Sequence, residues 1–318
     1  MKQIFFYLAI VLIFFSCEKR YIYYGGGDGN DSPSGVLTIE YTLTEDDYKA
    51  IVANKDNHVI ALSECPIDSI TGSIIDSIQY KAFKFIADTL AFNTHAPAEI
   101  YVPAFLSEKF PRLQPGSMIR LSYNVLGRDS IIVETVTFSR YNVWVSAIYY
   151  RQAIAGDGDQ GKLVIQDVIK DDELSYVWSF SNQYGMKASA YKGKNYYPTQ
   201  SWVITPSIDL RYAKNPKFSF DQARKYGVDF FKECLVMVST DYVGDVTKCH
   251  WDTIPYNQDE QGNFLVPDGS SWTFMNTGEM DLSKYVGKKI YIGFQYLSSE
   301  VDSPTWEIKN LLVAEPEE

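Results

Sequence analysis

Short runs rich in Val, Ile, Tyr, Phe and Trp recur between turn residues in the second half of this 318-residue chain, and their spacing constrains the fold most strongly. The runs are Leu163–Val168, Tyr176–Phe180, Ser201–Thr205, Lys217–Phe220, Leu235–Ser239, Ser271–Phe274, Lys289–Tyr296 and Thr305–Val313. β-Branched and aromatic runs bounded by turns are typical of strands. In Lys289–Tyr296 an apolar residue occupies every second position from Ile290 onward, as expected for a strand with one buried face. The pattern predicts a mainly β fold in which residues 156–318 form a two-sheet sandwich of the jelly-roll type.

Residues 37–155 combine helical and strand patterns and predict a small α+β module in front of the sandwich. The strand candidates are Val36–Thr42, Met118–Val125 and Ser130–Val136, and the helix candidates are a segment after Thr44, Ile78–Ala91 and Ala104–Phe110. Thr44 is a predicted N-cap followed by three acidic residues, and Pro103 is predicted to open the third helix. The Gly- and Asp-rich stretch at residues 155–162 marks the predicted boundary between the two domains.

The first 36 residues have the organisation of an export signal followed by a tether. Lys2 precedes an unbroken apolar run, Ile4–Phe15, which is too short to cross a bilayer as a permanent helix. Because Ser16-Cys17 follows this run, residues 1–16 resemble a bacterial lipoprotein signal, which implies cleavage before Cys17 and lipidation of its thiol. An ordinary signal with a chance cysteine is the alternative. Residues 17–36 are rich in Gly, Asp and Ser and predict a flexible tether.

The residue after the lipidated cysteine bears on the destination of such a protein. Glu18 occupies this position, where an aspartate would be an inner-membrane retention signal. The resemblance therefore implies a lipid anchor in the outer membrane, and both the periplasmic and the extracellular face remain open.

Four motifs in the second half resemble the choice-of-anchor J domain, a jelly-roll module related to cleaved adhesin domains. They lie within Asn182–Tyr191, Ser201–Leu210, Val238–Trp251 and Asp281–Asn310. The resemblance implies an extracytoplasmic protein of the adhesion and glycan-binding type. Some relatives hold calcium near the chain ends, which implies Glu307 and Asn310 as metal ligands here. Lys309 departs from that pattern, because many relatives have an aspartate at its position.

Charge and site chemistry argue against several functional classes. A net charge of −11 disfavours nucleic-acid binding, which requires a basic face. The three histidines, His58, His95 and His250, share no catalytic motif, so the chain is predicted not to be an enzyme, with a hydrolase as the least favoured alternative. Calcium is the only cofactor that the sequence brings into consideration.

Three cysteines follow Cys17, namely Cys65, Cys234 and Cys249. Cys234 and Cys249 flank one predicted strand and its loop, so in an oxidising compartment they are candidates for a disulfide. The alternative is that Cys234 serves as a small buried apolar residue.

Aromatic residues in predicted loops are the candidate ligand contacts. Tyr196, Tyr197, Tyr242 and Trp272 lie in or beside such loops and could form a platform for a sugar ring, or could instead close the ends of the sandwich. The sequence thus predicts a cell-envelope recognition or adhesion module for a glycan or a surface protein. The alternative is a structural accessory subunit of an outer-membrane complex.

Overall fold

The computed structural model describes residues 20–22, 34–63, 65–69, 71, 73–127, 130–152, 160–181 and 183–316. The strands are β1 (Arg20–Ile22), β2 (Thr38–Thr42), β3 (Met118–Leu126), β4 (Ile131–Arg140), β5 (Trp144–Ser146), β6 (Ile148–Gln152), β7 (Val164–Ile169), β8 (Trp178–Ser181), β9 (Gly185–Ser189), β10 (Tyr191–Lys192), β11 (Asn195–Tyr196), β12 (Thr199–Ile204), β13 (Ile208–Asp209), β14 (Lys217–Lys225), β15 (Cys234–Ser239), β16 (Asp252–Thr253), β17 (Met275–Asn276), β18 (Met280–Asp281), β19 (Lys289–Ser298) and β20 (Thr305–Ala314). The helices are α1 (Glu45–Ala53), α2 (Lys55–Ser63), α3 (Ile78–Thr89), α4 (Ala98–Lys109) and α5 (Phe230–Glu233). A 3₁₀ turn covers Ser283–Tyr285.

The N-terminal module consists of a five-stranded sheet and four helices. The strand order is β1-β2-β3-β4-β5, and α1 to α4 pack with this sheet around a continuous apolar core. The predicted helix at Ala104–Phe110 begins earlier than expected, at Ala98, and Pro103 lies in its interior. Buried Tyr101, Val102 and Phe105 recur at helical spacing, so packing stabilises the turn before Pro103 despite the backbone hydrogen bond that proline lacks.

The start of α1 is fixed by a buried polar network around Asp47. Thr44 caps the helix, and its side chain and the Asp47 backbone and carboxylate form a reciprocal capping box. The Asp47 carboxylate also accepts hydrogen bonds from the Tyr41 hydroxyl at 2.5 Å and from Lys109 Nζ at 2.7 Å. The network therefore joins β2, α1 and the end of α4.

Two facing sheets form the C-terminal sandwich, and the mainly β prediction is confirmed. One sheet has the order β16-β15-β19-β12-β7, with β13 added beside β19. The other has the order β17-β14-β20-β9-β8, with β18 beside β14 and β6 beside β20. The predicted face of β19 is buried, since Ile290, Ile292, Phe294 and Tyr296 all belong to the core between the sheets.

One predicted strand, Ser271–Phe274, is wrong. These residues form a loop that follows the turn at Asp268-Gly269, and the next strand is the short β17. The loop is held against the edge of β14, because the backbone N–H of Tyr226 donates to the carbonyl of Gly269 at 3.2 Å. Its aromatic residues resemble a strand in composition but lie across the outer surface of the seven-stranded sheet.

The junction between the two parts of the chain contains a partly buried ion cluster. β6 precedes the predicted boundary and pairs with β20 of the sandwich. Arg151 on β6 donates from Nη1 to both carboxylate oxygens of Glu134 on β4, at 2.8 and 2.7 Å, and its Nε lies 3.9 Å from Glu99 on α4. A cavity of about 530 Å³ lies beside these groups. The boundary at residues 155–156 falls outside the described residues and stays a prediction.

No helix in the described ranges is long and apolar enough to cross a membrane. The predicted signal at residues 1–16, Cys17 and most of the predicted tether lie outside the described residues.

We expect Asp47→Ala to lower the free energy of unfolding by about 3 kcal/mol, because it removes the carboxylate half of the capping box and leaves Lys109 and Tyr41 without their acceptor. Burial raises the pKa of Asp47, but hydrogen bonds from Lys109, Tyr41 and Thr44 outweigh this and hold the pKa below its ordinary value. The stabilisation is therefore present above the pKa of an unfolded aspartate, about 3.9, and is lost as the pH falls through the lower folded pKa.

Chemical denaturation of the unaltered protein and the Asp47→Ala variant, at neutral and at acidic pH, measures the difference in their free energies of unfolding. Asp46→Ala, at the exposed neighbouring position, is the matched control. Equal stability losses for the two variants, or a difference that does not shrink in acid, would contradict the assignment.

Candidate ligand-binding surface

The four aromatic residues predicted as a platform do not lie together. Tyr196 and Tyr197 belong to the β10–β11 hairpin and the segment after it, Tyr242 lies on the outer face of the six-stranded sheet, and Trp272 lies on the outer face of the seven-stranded sheet. Each is therefore considered with its own surroundings.

Tyr242 is part of a closed aromatic cluster. Its ring lies 5.8 Å from that of Trp251 and 5.0 Å from that of Tyr291, and Trp251 packs at 4.9 Å on Trp202. The Tyr242 hydroxyl accepts a hydrogen bond from Gln166 Nε2 at 2.7 Å. The cluster packs the loop at residues 240–251 against the outer face of the sheet. The Tyr242 ring therefore stabilises this loop.

Gly293 makes room for that cluster. A Cβ atom at this position would lie 2.8 Å from the Trp251 ring and 3.1 Å from the Trp202 ring. The glycine in the outward face of β19 is thus explained by the close approach of two indole rings to the backbone.

Tyr196 and Tyr197 have different environments although they are neighbours. Tyr196 is exposed on a two-stranded hairpin, where its ring lies 5.2 Å from that of Tyr191. Tyr197 is half-buried against the sandwich core, and its carbonyl accepts hydrogen bonds from Thr199 and Ser298. The pair therefore offers one exposed ring on a small protruding turn.

Trp272 is the predicted residue with the most complete surroundings for a ligand. Its side chain is 40% exposed, and its ring lies edge-on to that of Tyr226 at 6.2 Å. Lys187 Nζ and Lys225 Nζ lie 5.3 and 5.6 Å from the centre of the same ring. We name this area the Trp272 surface and define it as Tyr184, Lys187, Lys225, Tyr226, Trp272, Phe274, Glu307 and Lys309.

The register of the strands explains why Lys187 and Lys225 both lie close to the Trp272 ring. Lys187 on β9 lies directly across from Glu307 on β20, and Lys225 on β14 lies across from Thr305. Trp306 and Ile308 point into the core, so alternation along β20 turns Glu307 to the outer face between the strands that carry the lysines. The loop carrying Trp272 lies over this point.

Backbone geometry holds both sides of the surface in place. Asp268 Oδ1 accepts the backbone N–H and the hydroxyl of Ser270, which fixes the turn before Trp272. On the other side, Gly185 has φ +76° and a Cβ there would lie 2.2 Å from the carbonyl oxygen of Ile308. Only glycine allows β9 to approach β20 this closely next to Tyr184.

Glu307 is a buried carboxylate beneath the surface. It is 1% exposed, and its Oε1 lies 3.6 Å from Lys187 Nζ, while Oε2 is buried without a hydrogen-bond partner among the described residues. Burial raises the pKa of Glu307, and the ammonium groups of Lys187 and Lys309 oppose that rise only in part. Glu307 thus keeps Lys187 in position and retains one unused acceptor.

The two residues predicted as metal ligands are engaged with other groups. Glu307 faces Lys187, and Asn310, at φ +55°, donates from Nδ2 to Asp221 Oδ2 at 2.7 Å. Asn276 Nδ2 donates to the other oxygen of Asp221 at 2.9 Å. The described ranges contain no group of three or more His, Cys, Asp or Glu side chains placed to hold a metal ion, and the calcium site stays a prediction.

Of the two alternatives for Cys234, the structure shows the small buried apolar residue and not the disulfide with Cys249, since both thiols are free. Cys234 points into the core between the sheets, and burial raises the pKa of its thiol well above the ordinary value. Cys249 lies in the loop on the opposite, outer face, where its Sγ contacts the carbonyls of Asp245 and Val246. The six-stranded sheet therefore separates them, which sequence spacing alone could not show.

Two of the three histidines have clear surroundings that do not suggest a catalytic role. His58 on α2 lies edge-on to Phe83 at 5.5 Å. His250 is exposed, and its Nε2 lies 3.3 Å from Asp252 Oδ1. The other carboxylate oxygen of Asp252, Oδ2, accepts hydrogen bonds from Lys284 and Tyr285.

Several residues of the Trp272 surface were not identified as site residues from the sequence. Tyr184, Lys187, Lys225 and Tyr226 lie far from Trp272 in the chain and meet it only through the pairing of β9, β14 and β20. Lys187 and Lys225 occupy outward strand positions, which alternation could have indicated, but their neighbours depend on strand order.

Comparisons with known proteins give limited similarity. No family model matches the sequence, and no curated protein matches it. The K1 cleaved adhesin domain of Lys-gingipain from Porphyromonas gingivalis is 14% identical, with a TM-score of 0.33 over 53% of this chain and 98% of that domain. A family 11 carbohydrate-binding module from Clostridium thermocellum, solved with a mixed-linked β-1,3-1,4 tetrasaccharide, is 16% identical, with a TM-score of 0.25 over 53% of this chain and 88% of the module.

A third structure is SGBP-B from a xyloglucan utilization locus in Bacteroides uniformis. It is 12% identical, with a TM-score of 0.23 over 61% of this chain and 55% of that one. At these identities and TM-scores the similarity shows nothing about what this chain binds. The structural neighbours of this chain thus include adhesin and carbohydrate-binding domains of β-sandwich type.

Proposed function

We propose that this protein is a non-enzymatic recognition module that binds a glycan on the Trp272 surface. The observation that carries the proposal is a partly exposed indole ring held in place by a fixed loop and by side chains from two strands. The apolar face of a sugar packs on such a ring, and a ring that is already held in place loses little conformational freedom on binding.

Polar groups around the ring supply the second part of a sugar site. Sugar hydroxyls both donate and accept hydrogen bonds, and Lys187 and Lys225 present donors beside the ring. Tyr184 and Tyr226 add further aromatic area at its edges, and both are exposed. A small number of placed polar groups around an aromatic centre is typical of ligand sites.

The carboxylates on this face suit binding rather than bond cleavage. Glycoside hydrolysis requires a pair of carboxyl groups with an acid and a base or nucleophile role. Here Glu307 is held by Lys187, and Asp221 accepts from two amides. The choice-of-anchor J resemblance agrees with this proposal, since that family is associated with adhesion and glycan binding.

We expect Trp272→Ala to weaken glycan binding about fivefold or more, because the variant loses a stacking ring worth at least about 1 kcal/mol. Affinity electrophoresis of the full chain in non-ionic detergent, through gels containing neutral and acidic polysaccharides, measures the loss as reduced retardation. Tyr196→Ala, at an exposed tyrosine on the β10–β11 hairpin, is the matched control and should bind as well as the unaltered chain. Retardation that depends on Tyr196 but not on Trp272 would contradict the assignment of the surface.

We further propose that Cys17 carries a lipid anchor in the outer membrane. The proposal is supported by the apolar run that ends at Ser16-Cys17 and by Glu18 after it. In cells fed an alkyne-labelled fatty acid, the full chain should take up the label and sediment with outer membranes, and Cys17→Ser should abolish the labelling. Equal labelling of the Cys17→Ser variant would contradict the anchor.

A second candidate function, docking on an envelope protein, is favoured by the free edge of β4. β5 pairs only with Phe138–Arg140, so the first half of β4 has no strand on its outer side in the described part of the chain. Ile131, Ile132 and Val133 are each more than half exposed there. Exposed apolar edge strands are sites at which a further strand adds.

A photo-crosslinking amino acid at position 133 tests this candidate in intact cells. A docking edge should give one discrete crosslinked product of fixed mass. The same group at Val243, an exposed residue on the outer loop of the six-stranded sheet, should give none. Identical crosslinking patterns from the two positions would remove the support for docking through β4.

A further inference from the structure

Three lysines of the Trp272 surface have their ammonium groups over aromatic rings. Lys187 Nζ lies 5.4 Å from the ring centre of Tyr184 and 5.3 Å from that of Trp272. Lys225 Nζ lies 5.5 Å from Tyr226 and 5.6 Å from Trp272, and Lys309 Nζ lies 3.8 Å from Phe274. Ring faces attract the cations but do not neutralise their charge.

These lysines differ from others of the sandwich. Lys217, Lys248 and Lys284 each place their ammonium group within 3 Å of an aspartate oxygen. In the described part of the chain neither Lys225 nor Lys309 forms an ion pair with a carboxylate, although the whole chain carries a net charge of −11. Of the three lysines of the Trp272 surface, Lys187 is thus paired with Glu307, whereas Lys225 and Lys309 form no ion pair in the described ranges.

The acidic groups near this surface are already satisfied or buried. Glu307 is buried against Lys187, Asp221 accepts from the amides of Asn276 and Asn310, and Asp268 accepts from Ser270. They offset part of the positive charge. In the described ranges none of these carboxylates forms an ion pair with Lys225.

We propose that the ligand of the Trp272 surface is an acidic polysaccharide, in which a carboxylate or sulfate group on a sugar stacked over Trp272 is bound by Lys187 and Lys225. Both ammonium groups lie within 6 Å of the same ring centre, so both cations border the ring on which the sugar would stack. Lysine binds such a group as a point charge. This inference rests on the proposed glycan-binding function and adds the charge of the ligand to it.

Pairs of polymers that share a backbone and differ in one type of charged group provide the test. The full chain in non-ionic detergent is run through gels with polygalacturonate, with its methyl ester, with chondroitin sulfate and with chondroitin. We expect retardation by at least one acidic polymer, at least tenfold weaker binding to its neutral or less charged partner, and weakening at high ionic strength. Retardation by polygalacturonate identifies a carboxylate as the bound group, and retardation by chondroitin sulfate alone identifies a sulfate.

Variants assign the effect to the surface. Lys187→Gln with Lys225→Gln, the two lysines beside Trp272, should weaken binding to the acidic polymer at least tenfold. Lys248→Gln with Lys284→Gln makes the same change in net charge on the other sheet and should have no effect. Binding to neutral polymers that requires Trp272 but not the lysines would overturn the acidic-ligand inference and leave the proposed function intact. Retardation by none of the neutral or acidic polymers would overturn both.

Discussion

The alternation of side chains along β20 determines both the core of the sandwich and its candidate surface. On the inner face, Trp306 packs against Trp178, Phe230 and Phe294, and its Nε1 donates to Gln222 at 3.1 Å. Because the indole is fixed in this way, the strand cannot shift its register by one residue without exposing it. Glu307 is therefore held on the outer face, where it positions Lys187 beside Trp272.

The outer faces of the two sheets use aromatic residues in different ways. On the six-stranded sheet, Trp202, Trp251, Tyr242 and Tyr291 pack on one another and close a loop over the strands. On the seven-stranded sheet, Trp272 stays partly exposed and its neighbours are lysines. A ring with cations beside it and solvent access is suited to binding, whereas a ring packed among other rings mainly stabilises the fold.

Much of the fold could be predicted from local patterns, because alternation, capping and turn residues are properties of neighbouring positions. The buried face of β19 and the Thr44 cap are examples. The interior position of Pro103 and the loop at Ser271–Phe274 could not, since packing against distant residues decides both. For the same reason the sequence indicated Trp272 but not Lys187 or Lys225, whose proximity depends on the order β14-β20-β9.

The central claim is that a sugar contacts Trp272 and no other aromatic cluster. Fluorine NMR of the full chain labelled with 5-fluorotryptophan measures this directly, because each indole gives its own resonance. The resonance that disappears in the Trp272→Tyr variant is that of Trp272. On titration with oligosaccharides from a retarding polymer, the Trp272 resonance should shift while those of the buried Trp178, Trp202 and Trp306 stay in place. A shift of the Trp202 and Trp251 resonances with an unchanged Trp272 resonance would place the ligand on the other sheet and contradict the claim.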